Sequence, residues 1–212
     1  MTVARWMTRN PITIEEDAPV FLAFHLLLTN DIRHLPVLSG GKPVGIITDR
    51  DLKEALVSSD PGRSNPGSPP SYHRIKEVRA KKIMTPNPIM IGPAAPIEEA
   101  AQILLERKIS CLPVKGPDGA LVGILTVTDV LKAFIEFMAV LGGSQRIDIV
   151  MDSSDYDRVC LLLQNQGATV ISVGITAEND LGRKIYSFRL KDADAGKVTE
   201  LLRREGCSVL PF

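Results

Sequence analysis

Apolar side chains recur every three or four positions in two stretches of the chain, and this spacing predicts two amphipathic helices. Each helix is predicted to begin near a proline, Pro19 or Pro96, because proline suits the first position of a helix. The buried faces are predicted to consist of Val20, Phe21, Phe24, Leu27 and Leu28 in the first helix and of Ile97, Ala100, Ala101, Leu104 and Leu105 in the second.

Two short apolar runs joined by a glycine turn follow each of these helices and predict a β-hairpin. The runs are residues 35–38 and 44–47 in the first case, and residues 112–114 and 121–125 in the second. A further helix is predicted to begin at Thr48 and at Thr126, with Leu52, Leu56, Val130, Leu131 and Phe134 facing inward. A short apolar strand precedes each first helix, so each unit is predicted to be β-α-β-β-α.

The two units also share their sequence, block by block and in the same order. MTRNP at residues 7–11 returns as MTPNP at 84–88, IRHLPV at 32–37 as ISCLPV at 109–114, and GIITDRD at 45–51 as GILTVTD at 123–129. Such a repeat predicts two equivalent substructures. Arranged as a pseudo-twofold pair, they would enclose a shared cleft.

The rest of the chain follows other patterns. Residues 58–74 are rich in proline, glycine and serine and predict a flexible linker, because they bury too little apolar surface to offset the entropy of ordering. From residue 144 to 212, strands and helices are predicted in the order βαββαβ, which is the ferredoxin-like arrangement. The prediction is therefore an α+β or α/β chain with a first repeat at 1–57, a second at 75–138 and a separate domain at 144–212.

Composition narrows the classes of function. Twenty-five basic and 25 acidic residues cancel, which argues against nucleic acid as a partner, and no apolar run is long enough to predict a membrane span. The three cysteines include no CxxC pair, which argues against a zinc site or a disulfide framework and favours a cytoplasmic location. With no nucleophile–base motif, Gly-x-Gly-x-x-Gly or phosphate loop, we predict no catalytic residue, no metal and no required cofactor.

The Thr-x-x-Asp element that closes each hairpin block has two interpretations. It could be a capping box, in which the threonine caps a helix and the aspartate three residues later bonds back to it. Alternatively, the helix start, its hydroxyl groups and the carboxylate could hold a nucleotide, with phosphate on the hydroxyls and amides and ribose on the carboxylate. Both interpretations remain open for Thr48 with Asp51 and for Thr126 with Asp129.

The three repeated blocks resemble paired cystathionine-β-synthase (CBS) domains, the adenosine-sensing Bateman module, over about residues 1–138. The tail resembles an ACT domain, so the whole chain is similar to acetoin-utilisation regulatory proteins that join these parts. The resemblance implies an adenine nucleotide, such as AMP, ADP or ATP, between the repeats. One implied site contains Thr8, Pro11, Thr13, Ile32, Arg33, His34, Thr126, Thr128 and Asp129, and the other contains Thr48, Arg50, Asp51, Thr85, Pro88, Met90, Ile109, Ser110 and Cys111.

The two implied sites are not equivalent. Arg50 stands where the other copy has the hydroxyl of Thr128, so it either strengthens phosphate binding or fills the pocket. The site that contains Asp129 is therefore expected to be the main one. In the tail, the turn at 151–155 lacks the glycine with which ACT domains usually meet an amino-acid ligand, and packing into a dimer is the simpler role.

The leading functional hypothesis is a non-catalytic regulatory protein that senses an adenosine-containing ligand and passes binding on through a homodimer or the ACT-like domain to an unknown protein target. The alternative is a dimeric scaffold whose clefts are vestigial and whose Thr-x-x-Asp elements are only helix caps. A third hypothesis is a small enzyme with an unrecognised site.

Overall fold

The computed structural model describes residues 1–58, 77–138, 143–177 and 183–211. The chain divides into two compact units, Met1–Val130 and Leu131–Phe212. This division falls inside a helix. The predicted linker at 58–74 lies outside the described residues except for Ser58, which ends a helix.

Each of the two sequence repeats forms a helix, a hairpin and a second helix as predicted. The elements are α1 (Val3–Trp6), β1 (Thr8–Arg9), β2 (Ile14–Glu15), α2 (Val20–Thr29), β3 (His34–Ser39), β4 (Lys42–Thr48), α3 (Asp49–Ser58), a 3-10 turn (Ala80–Lys82), β5 (Thr85–Pro86), α4 (Ile97–Arg107), β6 (Cys111–Lys115), β7 (Leu121–Thr126) and α5 (Val127–Phe137). The short strand before α4 is reduced to a single parallel bridge between Ile91 and Val114. Pro19 and Pro96 are the N-caps of α2 and α4, one position before the helices begin.

A short edge strand from each repeat pairs with the hairpin of the other repeat. β1 pairs with β7, which belongs to the second repeat, and β5 pairs with β4, which belongs to the first. At these crossings Gly123 lies against Met7 and Gly45 against Met84, where an added Cβ atom would collide with the methionine side chain. This close approach explains why the Met-Thr block and the Gly-Ile block recur together.

The buried faces of the helices are narrower than the spacing predicted. Val20, Ala23 and Leu27 are buried in α2, and Ile97, Ala100 and Leu104 are buried in α4. The prediction was wrong for five residues, which are largely exposed: Phe21, Leu28, Leu105, Leu131 and Phe134. Each helix packs on one side only, so a stripe at spacing i, i+3, i+7 is covered and the apolar positions beside it are not. The side chain of Leu56 lies outside the described residues.

The second unit has the predicted βαββαβ order after the end of α5. Its elements are β8 (Gln145–Met151), a 3-10 turn (Ser153–Asp155), α6 (Tyr156–Asn165), β9 (Thr169–Ala177), β10 (Lys184–Lys191), α7 (Ala195–Arg204) and β11 (Ser208–Val209). The antiparallel sheet has the order β11-β8-β10-β9, and Ile149, Phe188, Leu163 and Leu202 lie in its core. The side chain of Asp194 caps α7, and Gly206 follows that helix with a φ of 83°.

Candidate functional site

Two cavities of similar size lie in the first unit and face the starts of helices α5 and α3. The first cleft has a volume of about 640 Å³ and the second of about 600 Å³, which are ordinary sizes for a small-molecule site. The first cleft is lined by Thr8, Asn10, Pro11, Ile12, Asp31, Ile32, Arg33, His34, Asp49, Ser110, Ile124, Thr126, Val127 and Thr128. The second is lined by His34, Ile46, Thr48, Asp49, Arg50, Asp51, Thr85, Asn87, Pro88, Ile89, Lys108, Ile109, Ser110, Cys111, Pro113 and Val127.

Each cleft brings together one end of each repeat, and its lining includes most of the residues named for it from the sequence. The first cleft contains Thr8, Pro11, Ile32, Arg33, His34, Thr126 and Thr128 but not Thr13 or Asp129. The second contains Thr48, Arg50, Asp51, Thr85, Pro88, Ile109, Ser110 and Cys111 but not Met90.

Two of the three differences concern neighbouring positions in the same segment of each repeat. Ile12 lines the first cleft and Ile89 the second. Thr13 and Met90 follow them directly, and successive side chains in an extended segment point to opposite sides. In both repeats, the residue that lines the cleft directly precedes the one named from the sequence.

Asp129 is held in a helix cap. Its Oδ2 accepts hydrogen bonds from the backbone N–H of Thr126 at 2.9 Å and from the Thr126 hydroxyl at 2.7 Å, and only 8% of the residue is exposed. Asp51 makes the same bonds to Thr48, both at 2.7 Å, but also lines the second cleft. Both Thr-x-x-Asp elements are thus capping boxes. A carboxylate has more acceptor sites than these two bonds use, so capping leaves room for a ligand contact at Asp51.

The two clefts are adjacent. Four residues line both of them: His34, Asp49, Ser110 and Val127. Nε2 of His34 and Oγ of Ser110 share a hydrogen bond of 2.6 Å that joins the two repeats. Burial lowers the pKa of His34, the charge of Arg33 lowers it further, and Asp49 opposes the shift. The imidazole is therefore neutral at pH 7.

Cys111 lies in the wall of the second cleft. Burial raises the pKa of Cys111 to about 12, so its thiol is protonated at neutral pH and is a poor nucleophile. Among the residues that the structure describes, no group of three or more His, Cys, Asp or Glu is placed to hold a metal ion. Within the same residues, no helix is long and apolar enough to cross a membrane.

Arg50 is exposed on the first turn of α3 and lies in the wall of the second cleft. The two clefts differ little in volume although the first has Thr128 at the equivalent position. A cavity of about 600 Å³ is present beside the arginine.

Comparison with known proteins identifies the family. The family model described as the CBS domain matches residues 3–58 and again residues 80–136, which together are just over half of the chain. The chain therefore belongs to the CBS domain family and contains a tandem pair of these domains, a Bateman module.

The chain matches most of the length of one relative but only a small part of another. A CBS domain-containing protein of Dictyostelium discoideum is 33% identical over 140 residues, which are 64% of this chain and 92% of that protein. Inosine-5'-monophosphate dehydrogenase of Korarchaeum cryptofilum is 34% identical over 125 residues, which are 59% of this chain but only 22% of the enzyme. The likeness to that enzyme is therefore confined to a small part of it.

Three solved structures share the fold of the CBS pair. CBSX2 of Arabidopsis thaliana in complex with AMP is 30% identical, with a TM-score of 0.52 over 64% of this chain and 96% of that one. The CBS domain pair of protein MJ0100, in complex with 5'-methylthioadenosine and S-adenosyl-L-methionine, is 27% identical, with a TM-score of 0.52 over 63% and 95%. A Vibrio cholerae protein assigned to acetoin utilisation, AcuB, is 29% identical, with a TM-score of 0.54 over 66% and 94%.

Proposed function

We propose that this protein is a non-catalytic regulatory protein that binds an adenosine-containing ligand in the clefts between its two CBS repeats. The observation that carries the proposal is the pair of clefts itself. Each has a volume ordinary for a small-molecule site, and each joins the Asn-Pro segment of one repeat to the capped helix start of the other. Two solved CBS pairs of similar sequence are complexes with adenosine compounds, AMP in one and a thioadenosine with S-adenosyl-L-methionine in the other.

The residues of each cleft suit the parts of such a ligand. In the second cleft, the carboxylate of Asp51 accepts hydrogen bonds from ribose hydroxyls, while Arg50 and the hydroxyl of Thr48 contact a phosphate. In the first cleft, Thr126 and Thr128 supply hydroxyls at the start of α5, and Ile32 supplies apolar surface for the base. Asp129 supports the first cleft indirectly, by capping the helix on which Thr128 lies.

Binding would be passed on through a homodimer or through the second unit, which we assign as an ACT-like domain from its βαββαβ order and sheet order. Helix α5 carries exposed apolar side chains, among them Phe134 and Phe137, which favours burial against a second copy of the chain. In the second unit, β9 is an edge strand of nine residues with Ile171 and Ile175 exposed, and an edge of this kind can pair with another strand.

Isothermal titration calorimetry of the full chain with AMP, ADP, ATP and S-adenosylmethionine tests the proposal. The informative variant is Thr8→Ala, which alters the wall of the first cleft, and the matched control is Thr13→Ala, a threonine five positions later that does not line it. Saturable binding that weakens in Thr8→Ala and not in Thr13→Ala would support the proposal. Absence of binding to all four ligands would favour the scaffold alternative, and turnover of a bound nucleotide would indicate an enzyme.

A further inference from the structure

The two clefts carry opposite charges at one pair of equivalent positions. Asp31 follows α2 and lines the first cleft, whereas Lys108 follows α4 and lines the second. Both residues lie in the left-handed region, with φ of 50° and 53°, so the same backbone conformation presents an acid in one cleft and a base in the other. The charge reversal is therefore a difference in chemistry at an otherwise repeated position.

A second equivalent pair changes the charge in the same direction. Thr128 stands near the start of α5 in the first cleft, and Arg50 stands at the same place in α3 in the second. The second cleft thus has two cationic side chains, Lys108 and Arg50, in its wall. The first cleft has one, Arg33.

The acidic residues of the second cleft are better compensated than Asp31. Asp49 forms an ion pair of 3.2 Å with Lys53, which holds the pKa of this carboxyl below its usual value. Asp51 accepts two hydrogen bonds within its helix cap. Two cations are therefore available to an anion in the second cleft, while in the first an anion would meet the carboxylate of Asp31.

We propose that the two clefts select different adenosine compounds. The second cleft binds a phosphorylated adenosine, with Arg50 and Lys108 on its phosphate. The first cleft favours an adenosyl ligand whose 5' substituent is uncharged or cationic. This inference rests on the proposed function, because it divides one ligand class between the two clefts.

Variants that leave a single cleft open make the two sites separately measurable. Ile32 and Ile109 are equivalent residues, each in the wall of its own cleft. Ile32→Trp is designed to fill the first cleft and Ile109→Trp to fill the second. Far-ultraviolet circular dichroism and urea unfolding of both variants confirm that each remains folded before it is titrated.

Calorimetric titration with adenosine and with AMP then compares the open clefts. In Ile32→Trp, AMP is expected to bind at least about tenfold more tightly than adenosine, because charge-assisted hydrogen bonds to phosphate are stronger than neutral ones. In Ile109→Trp, adenosine is expected to bind as tightly as AMP or more tightly. Raising the salt concentration should weaken AMP in the second cleft and leave adenosine unchanged.

Substitution to asparagine tests the charged pair without straining the backbone, since asparagine tolerates the left-handed region. Lys108→Asn should weaken AMP binding in the second cleft about tenfold, and Asp31→Asn should strengthen AMP binding in the first cleft. Lys115→Gln, an exposed lysine that lines neither cleft, is the control and should change neither value.

The outcomes separate this inference from the proposed function. If wild-type protein binds neither adenosine nor AMP, the proposed function is wrong and the inference fails with it. If it binds both but the two open clefts prefer them equally, or Lys108→Asn leaves AMP affinity unchanged, the proposed function stands and the division between clefts is wrong.

Discussion

Removing one carboxylate at a time, at Asp51 and at Asp129, separates helix capping from ligand contact. The two residues hold the same place in the repeat, and each Oδ2 accepts from the backbone N–H and the hydroxyl of its threonine at 2.7–2.9 Å. They differ in position relative to the cavities. Asp51 lines the second cleft, whereas Asp129 is absent from the lining of either one.

Because Asp51 and Asp129 make equivalent capping hydrogen bonds, replacing either one by alanine should lower the stability of the fold by the same amount. Replacing a capping side chain by alanine costs about 1 kcal/mol, within a range of about 0.5–2. With a urea dependence of about 2 kcal/mol per molar, each variant should unfold at a urea concentration about 0.5 M lower than wild type. Trp6, the only tryptophan of the chain, lies in α1 of the first unit and reports this unfolding by fluorescence.

Because Asp51 lines a cleft and Asp129 lines neither, the two alanine variants should lose ligand affinity unequally. Asp51→Ala removes a charged acceptor from the wall of the second cleft, which should weaken binding of AMP there by about 10- to 100-fold. Asp129→Ala should weaken ligand binding in the first cleft by less than about threefold, because Asp129 does not line that cleft and changes outside a site couple to it weakly. Calorimetric titration of both variants, at urea concentrations below their unfolding transitions, measures the two ligand affinities.

The reasoning would be refuted if Asp129→Ala weakened binding as much as Asp51→Ala while both lost the same stability. The carboxylate of Asp129 would then contact ligand, as the sequence alone had suggested for the main site. The reasoning would also be refuted if Asp51→Ala lowered stability but left ligand affinity unchanged. Helix capping would then be the whole role of Asp51.

Three further predictions concern packing, protonation and reactivity. Gly123→Ala places a Cβ atom 2.5 Å from Sδ of Met7 and 3.0 Å from the carbonyl oxygen of Thr8, so unfolding in urea should show a loss of about 1–3 kcal/mol, part of which Met7→Ala recovers. The pKa of His34 is lowered in the folded chain from its ordinary 6.5, so the unfolded chain binds the proton more readily and stability should fall as pH falls below about 6.5. His34→Gln should lose this part of the pH dependence, and an unchanged profile would contradict the assignment. Because its pKa is about 12, Cys111 should resist iodoacetamide at pH 8 in the folded protein and react after urea unfolding, as peptide mapping of the alkylated chain would show.

The sequence was sufficient for the elements whose signal is local. Residues 34–39 and 42–48 form the predicted hairpin around a glycine turn, and Thr48 caps the helix that follows. Apolar spacing placed α2 correctly but not the edge of its buried face. Leu28 is 70% exposed, because burial depends on what packs against the helix and not on spacing alone.

Pairing between distant segments was not predictable in the same way. β1 and β5 are two residues long, and nothing in their own sequence indicates that each pairs with the hairpin of the other repeat. The same limit affected the clefts, where Ile12 rather than Thr13 faces the cavity, since the phase of a short extended segment is set by its partner strand. Asp31 and Lys108 carried a signal in the repeat itself, as aligned residues of opposite charge.

The central claim is that the clefts of the CBS pair bind an adenosine compound, and a crystal structure of the full chain grown with AMP tests it most directly. The account predicts AMP in the second cleft, with a ribose hydroxyl within hydrogen-bond distance of Asp51 and the phosphate near Arg50 and Lys108. AMP bound outside both clefts, or clefts left empty at a ligand concentration that saturates the protein in solution, would contradict it.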